Sequence, residues 1–301
     1  MAREVHLYSD AVCPILLCQR FVRDAYRKIL RRAMWSFQLG RGQFNTINQY
    51  NTGTVTVTNN SATVTGSGTS WTSALINQQF KSGGAVYTVT AVGSTTSLTI
   101  DKAWAGATAS GQTYTILTAY VTPSDQDANS AYNFKSFYSI VDPATNVVVT
   151  IGNSAFFLDI YDPNRSATTG DPVIVLRGGD PGVGNNTALA GLPQFELWPH
   201  VTTLKQYQYI FEKILPDLAS ASDTPNELIL SDVVVRCALL DLVRWSGTPE
   251  RKNPMYDPTL VQFNNRTEEF EKELAVLIQQ DAIRSQAILS REHSLWTGIG
   301  A

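Results

Sequence analysis

Four aspartates, Asp159, Asp162, Asp171 and Asp180, occupy a polar, glycine-containing stretch and are the residues best spaced for hydrolytic or calcium chemistry. Glycoside hydrolysis needs two carboxyl groups held roughly 5 to 10 Å apart. Their DP and GD contexts equally describe turns in which the carboxylate accepts local backbone N–H groups, and that reading is adopted. His6, His200 and His293 are scattered, with no HExxH or paired-ligand spacing, so they are read as isolated surface or structural histidines. Cys13, Cys18 and Cys237 fit neither a disulfide scaffold nor CxxC knuckles; three buried small side chains in a reducing compartment are expected. Gly66-Ser67-Gly68 and Arg177-Gly178-Gly179-Asp180 lack the strand, phosphate loop and lysine-bearing helix of a nucleotide site. No GxSxG elbow is present either. The expectation is therefore a protein that is not an enzyme, with no catalytic residue, metal or cofactor.

The strongest charge pattern is cationic. Arg20, Arg23, Arg27 and Arg31 recur at intervals of three or four, with Lys28 and Arg32 beside them and only Asp24 among them. On a helix this spacing makes a stripe. Such a stripe suits either phosphates in a DNA channel or acidic faces such as Glu268, Glu269, Glu271 and Glu273 on another helix or subunit. Protein contact is favoured, because the stripe carries no base-reading motif and the chain's formal net charge of -3 excludes a polycation that coats nucleic acid. Trp71 and Trp104 would suit sugar stacking if exposed, but small β modules need large side chains inside, and burial is expected. Trp35, Trp198 and Trp245 are likewise read as packing residues.

The elements that position these residues follow from periodicity. Pro14 to Phe37 reads as a helix, with Cys18, Phe21, Val22, Ala25, Tyr26, Ile29, Leu30, Ala33, Met34 and Phe37 at helical spacing and the glycines of LGRG as terminators. From Thr52 the period drops to two. Thr54–Thr58 and Ser61–Thr65 around Asn59-Asn60 predict a hairpin. Further strands are expected at Val86–Val92, Ser97–Ile100, Thr113–Leu117, Phe134–Val141, Val147–Ile151, Phe156–Ile160, Val173–Leu176, Gln194–Trp198 and Gln206–Phe211. Helix returns after a capping box at Thr224-Pro225-Asn226-Glu227, packs through Ile229, Val233, Cys237 and Leu240, and stops at Gly247. A last helix is expected from Asn265 to about Glu292, with Phe270, Leu274, Leu277, Ile278 and Ile288 inward and a Glu268–Lys272 pair outside.

Neither terminal segment buries its apolar face alone. The expected fold class is thus α+β: terminal helices forming a bundle, with a large, mainly antiparallel β insertion between them. Boundaries are placed at 1–50 and 219–301 for the helical domain, 51–119 for a small Thr-rich β module and 120–218 for a second β-rich region. The 301 residues are 43% apolar and only 16% charged, as β structure and protein contacts require. The start MAREVHLYSDAV lacks signal-peptide features, and no apolar run approaches a membrane span. Synthesis in the cytoplasm and no membrane contact are expected.

Certain phrases carry a resemblance. Phe21-Val22-Arg23-Asp24-Ala25-Tyr26-Arg27-Lys28-Ile29-Leu30, then Phe195-Glu196-Leu197-Trp198-Pro199, Leu215-Pro216-Asp217-Leu218 and the Cys237-Ala238-Leu239 helix resemble the head-to-tail adaptor, or neck connector, proteins of tailed bacteriophages. Gly53-Thr54-Val55-Thr56-Val57, Val64-Thr65-Gly66-Ser67-Gly68-Thr69-Ser70-Trp71 and Gly111-Gln112-Thr113-Tyr114-Thr115-Ile116 resemble a small β module of phage structural proteins. The resemblance implies a homo-oligomeric ring, commonly twelve-fold, at the virion's head-tail junction. Its neighbours would be the portal and a tail or nozzle protein, with nonspecific DNA passing through the channel. The alternative from another class is a carbohydrate-binding tail or fibre protein.

Overall fold

Two apolar patterns run through this chain, one with helical and one with strand period, and each builds its own packing. In a computed structural model, the fold is described for residues 1–125, 132–152, 169–180, 189–218 and 231–296, together with 158, 162, 167, 223, 225 and 229; side chains of the last helix are described up to 284, except 262. The chain divides into two units, Met1–Leu39 with Ile214–Ala301, and Gly40–Lys213. The fold is α+β, with helices from both ends of the sequence flanking an inserted β region.

The helical unit contains α1 (Ala2–Tyr8), α2 (Ile15–Leu30), α3 (Ser231–Arg244) and α4 (Val261–Trp296). Helix α2 buries Cys18, Val22, Ala25, Tyr26 and Ile29, one stripe at 3.6-residue spacing. Helix α3 buries Val233, Val234, Val235, Cys237, Ala238, Leu239, Leu240, Leu242 and Val243, so it is apolar nearly all round and sits at the centre of the core. From α4, Phe270 and Leu274 are buried, with Phe263, Leu277 and Ile278 packed alongside. The Ile288 side chain and, apart from Pro225, the 224–227 capping box lie outside those described.

Helix α2 ends seven residues before the expected Phe37, because other partners take over the hydrogen bonds that a longer helix would use. The Trp35 indole N–H donates to the Ile29 carbonyl at 3.3 Å, and the Trp35 backbone N–H donates to Gln38 Oε1 at 2.9 Å. The Ser36 N–H and hydroxyl both donate to Asp281 on α4, at 2.6 and 2.5 Å. The end of α3 is closed by Asn253, whose amide donates to the carbonyls of Leu242 and Trp245, each at 2.8 Å. Gly247 has φ +111 and touches the 251–253 backbone so closely that no Cβ fits. Helix α4 starts at Val261, four residues before the expected Asn265, and Glu268 forms no ion pair with Lys272.

The β unit opens with β1 (Leu39–Asn45), which contains the LGRG glycines read from sequence as helix terminators. Their reason is different: a Cβ on Gly40 would sit 2.5 Å from the Phe211 ring, and Gly42 lies as closely under Tyr209. Next come β2 (Thr54–Val57), β3 (Thr63–Ser67), β4 (Gln79–Ser82), β5 (Ala85–Ser94), β6 (Ser97–Ile100), β7 (Ala109–Gln112) and β8 (Tyr114–Val121). The β2–β3 hairpin pairs Val57 with Val64, and Asn60 at φ +59 supplies its tight reversal. The ladders run β7-β2-β3-β6-β5-β4-β8, and β7 continues into β8 across Thr113 alone. This circuit closes a small barrel around Val55, Val57, Val64, Trp71, Phe80, Val89, Leu98, Ile100, Trp104, Tyr114 and Ile116.

The remaining strands are β9 (Phe134–Asp142), β10 (Val147–Val148), β11 (Thr150–Gly152), β12 (Val173–Gly179), β13 (Pro193–Val201) and β14 (Gln206–Lys213). One sheet has the order β1-β14-β9-β10; the other continues from the barrel as β8-β13-β12-β11, with β11 and β12 parallel. The two sheets share a core. Tyr207, Tyr209 and Phe211 of β14 and Phe134, Phe137 and Ile140 of β9 meet Ile174, Phe195 and Leu197, and the Phe137 and Phe195 rings lie 4.6 Å apart. Strand β13 passes the expected Trp198 and runs through Pro199, which has no N–H to pair; there its register against β8 shifts. The expected 156–160 strand lies outside the described residues except Leu158.

Candidate functional site

The six cations of the stripe are not equivalent. Arg20, Arg27, Lys28 and Arg31, with Leu17, Phe21 and Asp24, lie along one face of α2 and line an open groove of 650 Å³. Its other wall is the last turn of α3: Asp241, Arg244 and Trp245. Arg23 is half-buried, does not line the groove, and its Nε has no hydrogen-bond partner. Arg32 turns the other way, pairing with Glu271 of α4 beside an adjoining pocket of 380 Å³.

Part of the stripe's charge is neutralised within the helical unit. Arg27 pairs with Asp217, and Lys28 reaches Asp241 at 2.8 Å. Asp24 stands 3.7 Å from both Arg20 and Arg27. Among the described residues Arg31 makes no ion pair, while Glu268 and Glu269, expected as acidic partners, stay exposed. Glu273 is taken by Arg236 at 2.5 Å. Exposed pairs of this kind contribute at most about 1 kcal/mol each, so fold stability does not explain the clustering. Asp241, Arg244 and Trp245 were missed in the sequence because only the α2–α3 packing brings them to the groove; their own helical spacing was the available signal.

The remaining candidates are distributed through the β unit and the helical core. Asp162 accepts from the Ala167 N–H at 2.9 Å and from the Trp198 indole at 3.1 Å. Asp180 accepts from Thr122 at 2.6 Å. Both are buried and act as structural acceptors; Asp171 is exposed, and Asp159 lies outside the described residues. Trp71 and Trp104 are buried in the barrel, with their indoles donating to Tyr114 Oη at 3.0 Å and the Ala107 carbonyl at 3.1 Å, so neither offers a flat face to a sugar. The three cysteines are buried and unpaired by disulfide. Burial pushes the Cys237 thiol up to about 11, which disfavours the nucleophilic thiolate. His6 Nδ1 lies 2.6 Å from the Cys13 carbonyl, and the His293 side chain is outside those described. Among the described residues no three His, Cys, Asp or Glu side chains converge as metal ligands.

A second cleft, of 330 Å³, is lined by Asp142, His200, Lys205 and Tyr207. Lys205 donates to buried Asp142 at 2.7 Å. Burial by itself raises the Asp142 carboxyl, but hydrogen bonds from Lys205, Thr145 and the Ala144 N–H outweigh it and hold the group below its ordinary value. A depressed carboxyl contributes stability that is complete above its unfolded pKa of about 3.9 and is lost as pH falls through the folded value. Asp142→Asn should therefore destabilise the chain at neutral pH, and urea titrations from about pH 6 downward should show the gap to wild type closing below about pH 4. A gap independent of pH would refute the assignment.

Glu196 lies on β13 with its side chain fully buried. Arg177 Nε approaches Glu196 Oε2 at 3.2 Å, and His200 Nε2 stands 3.7 Å from Oε1. Neither His200 nitrogen has a hydrogen-bond partner.

No protein-family model and no curated protein matches the chain. Among the described residues no helix is long and apolar enough to cross a membrane. At the α2–α3 groove, charge, exposure and apolar lining coincide.

Proposed function

We propose that this chain is a non-enzymatic structural component of a tailed-bacteriophage neck, a head-to-tail adaptor that assembles into a homo-oligomeric ring between portal and tail. The observation that carries this reading is that both ends of the sequence build one helical core. Val5, Cys18, Val22, Ile29 and Trp35 pack with Leu218, Val233, Leu239, Phe270 and Leu274, while the β insertion leaves after Leu39 and returns before Ile214. That arrangement agrees with the resemblance of the two terminal segments to neck connectors. The basic stripe supports contact with protein more than with DNA, since Asp24, Asp217, Asp241 and Glu271 are interspersed with its cations. A ring, of twelve copies by the resemblance, turns many modest contacts into one stable assembly and leaves an opening for the genome.

The test is to mix the purified chain with isolated portal assemblies and to localise it in particles by electron microscopy. Ring-shaped density joining portal and tail is expected. Density confined to fibres, or no association with portal at any stage of assembly, would refute the reading.

A further inference from the structure

We infer that the groove between α2 and α3 docks an acidic segment of a partner protein through an aromatic anchor. This rests on the reading of that face as a protein contact and adds the chemistry of what it contacts. The groove is lined by five cations, Arg20, Arg27, Lys28, Arg31 and Arg244, against two carboxylates, Asp24 and Asp241. Asp217 takes a further share of Arg27. A positive excess remains on a chain whose overall charge is -3, so the groove is a local reversal of sign. Four of the five cations are arginines, whose planar fork grips carboxylates with two parallel hydrogen bonds.

The apolar lining selects between classes of partner. Leu17, Phe21 and Trp245 are half-buried, packed on the helical core from one side and lining the groove on the other. An apolar floor between cations stabilises a bound segment only if that segment brings an apolar side chain of its own, and an aromatic ring fits best beside both an indole and guanidinium groups. A phosphate backbone brings none. Asp24 and Asp241 face the same groove and repel phosphates and peptide carboxylates alike, but a peptide can donate its backbone N–H groups to them and a phosphate backbone has none to give.

The probe is a fluorescent synthetic peptide of about a dozen residues, rich in Asp and Glu with one central tryptophan, titrated by the full chain in fluorescence anisotropy. Binding is expected to weaken at least about tenfold when salt rises from about 50 to about 300 mM, because the groove and its charges are open to solvent. It should weaken about tenfold in the double variant Arg20→Glu, Arg31→Glu, and by a smaller factor in Arg20→Gln, Arg31→Gln. Both positions are exposed, so circular dichroism should show the fold of each variant unchanged. Replacing the peptide's tryptophan by glycine, or its acids by amides, should abolish binding. The inference is overturned if the peptide fails to bind, if either double variant binds as wild type does, or if a random DNA duplex binds more tightly with the same dependence on Arg20 and Arg31. Binding of the peptide by a chain that never appears at the head-tail junction would uphold the groove and refute the neck reading; a chain found in the neck that ignores the peptide would do the opposite.

Discussion

Trp71→Ala should cost about 3 to 5 kcal/mol in urea denaturation of the chain, the range for deleting a large aromatic from a packed core. The indole is 2% exposed, meets the Tyr114 ring edge-on with centroids 5.8 Å apart, and donates its N–H to the Tyr114 hydroxyl at 3.0 Å. The barrel has few other side chains of that volume, and a cavity of this size is too rigidly framed by closed ladders to collapse. Tyr114→Phe separates the ring from the hydroxyl: it keeps the ring and removes two hydrogen bonds, one accepted from Trp71 and one donated to the Thr52 carbonyl at 2.6 Å, for a cost of about 2 kcal/mol. If Trp71→Ala costs no more than Tyr114→Phe, the indole does not fill the barrel core.

Arg177→Ala should be nearly as damaging, at about 3 kcal/mol, for a different reason. Its partner Glu196 has no solvent-exposed side-chain surface, so losing the guanidinium takes a charged partner from a buried carboxylate. The Arg177 side chain is 29% exposed, which places the expected cost at the lower end of the range for broken buried pairs. The double variant Arg177→Met, Glu196→Leu removes both charges and should recover most of the loss. Single and double variants of equal stability would show that packing by the arginine stem, not its charge, is what β12 and β13 require.

Much of the fold was legible because burial repeats with the period of the element. Ser97–Ile100 was bounded correctly from alternation alone, and the Thr54–Thr65 hairpin was marked by Asn59-Asn60. The α3 stripe of Val233, Cys237 and Leu240 likewise follows helical spacing. Three strands escaped because their reasons are tertiary, and one helix because it is short. Strand β4, QFKS, has one apolar residue and is a strand because β5 and β8 pair with it on both sides. Strand β7, ASGQ, has little β propensity and is carried by its continuation into β8. In β1 the glycines have the composition of helix stops, but their place is fixed by the Phe211 and Tyr209 rings lying over them. Helix α1 is only seven residues long, too short to show a periodic signal.

The candidate site divides the same way. Spacing identified the α2 stripe, but not that Arg23 and Arg32 leave its groove, nor that Asp217, Asp241 and Glu271 come from distant sequence to share its charge. Helical periodicity states which residues share a face; it does not state what the face meets.

Strand β8 has one further consequence. Its first half closes the barrel against β4, through pairs such as Phe80 with Ile116, and its second half carries the sandwich by pairing Tyr120 and Val121 with Glu196 and Phe195. Cutting the barrel out at the genetic level would strip β13 of a neighbour and leave a bare row of amide and carbonyl groups beside Phe195 and Leu197, an invitation to amyloid-like stacking. Grafting or swapping this module between proteins therefore has to carry β8 whole.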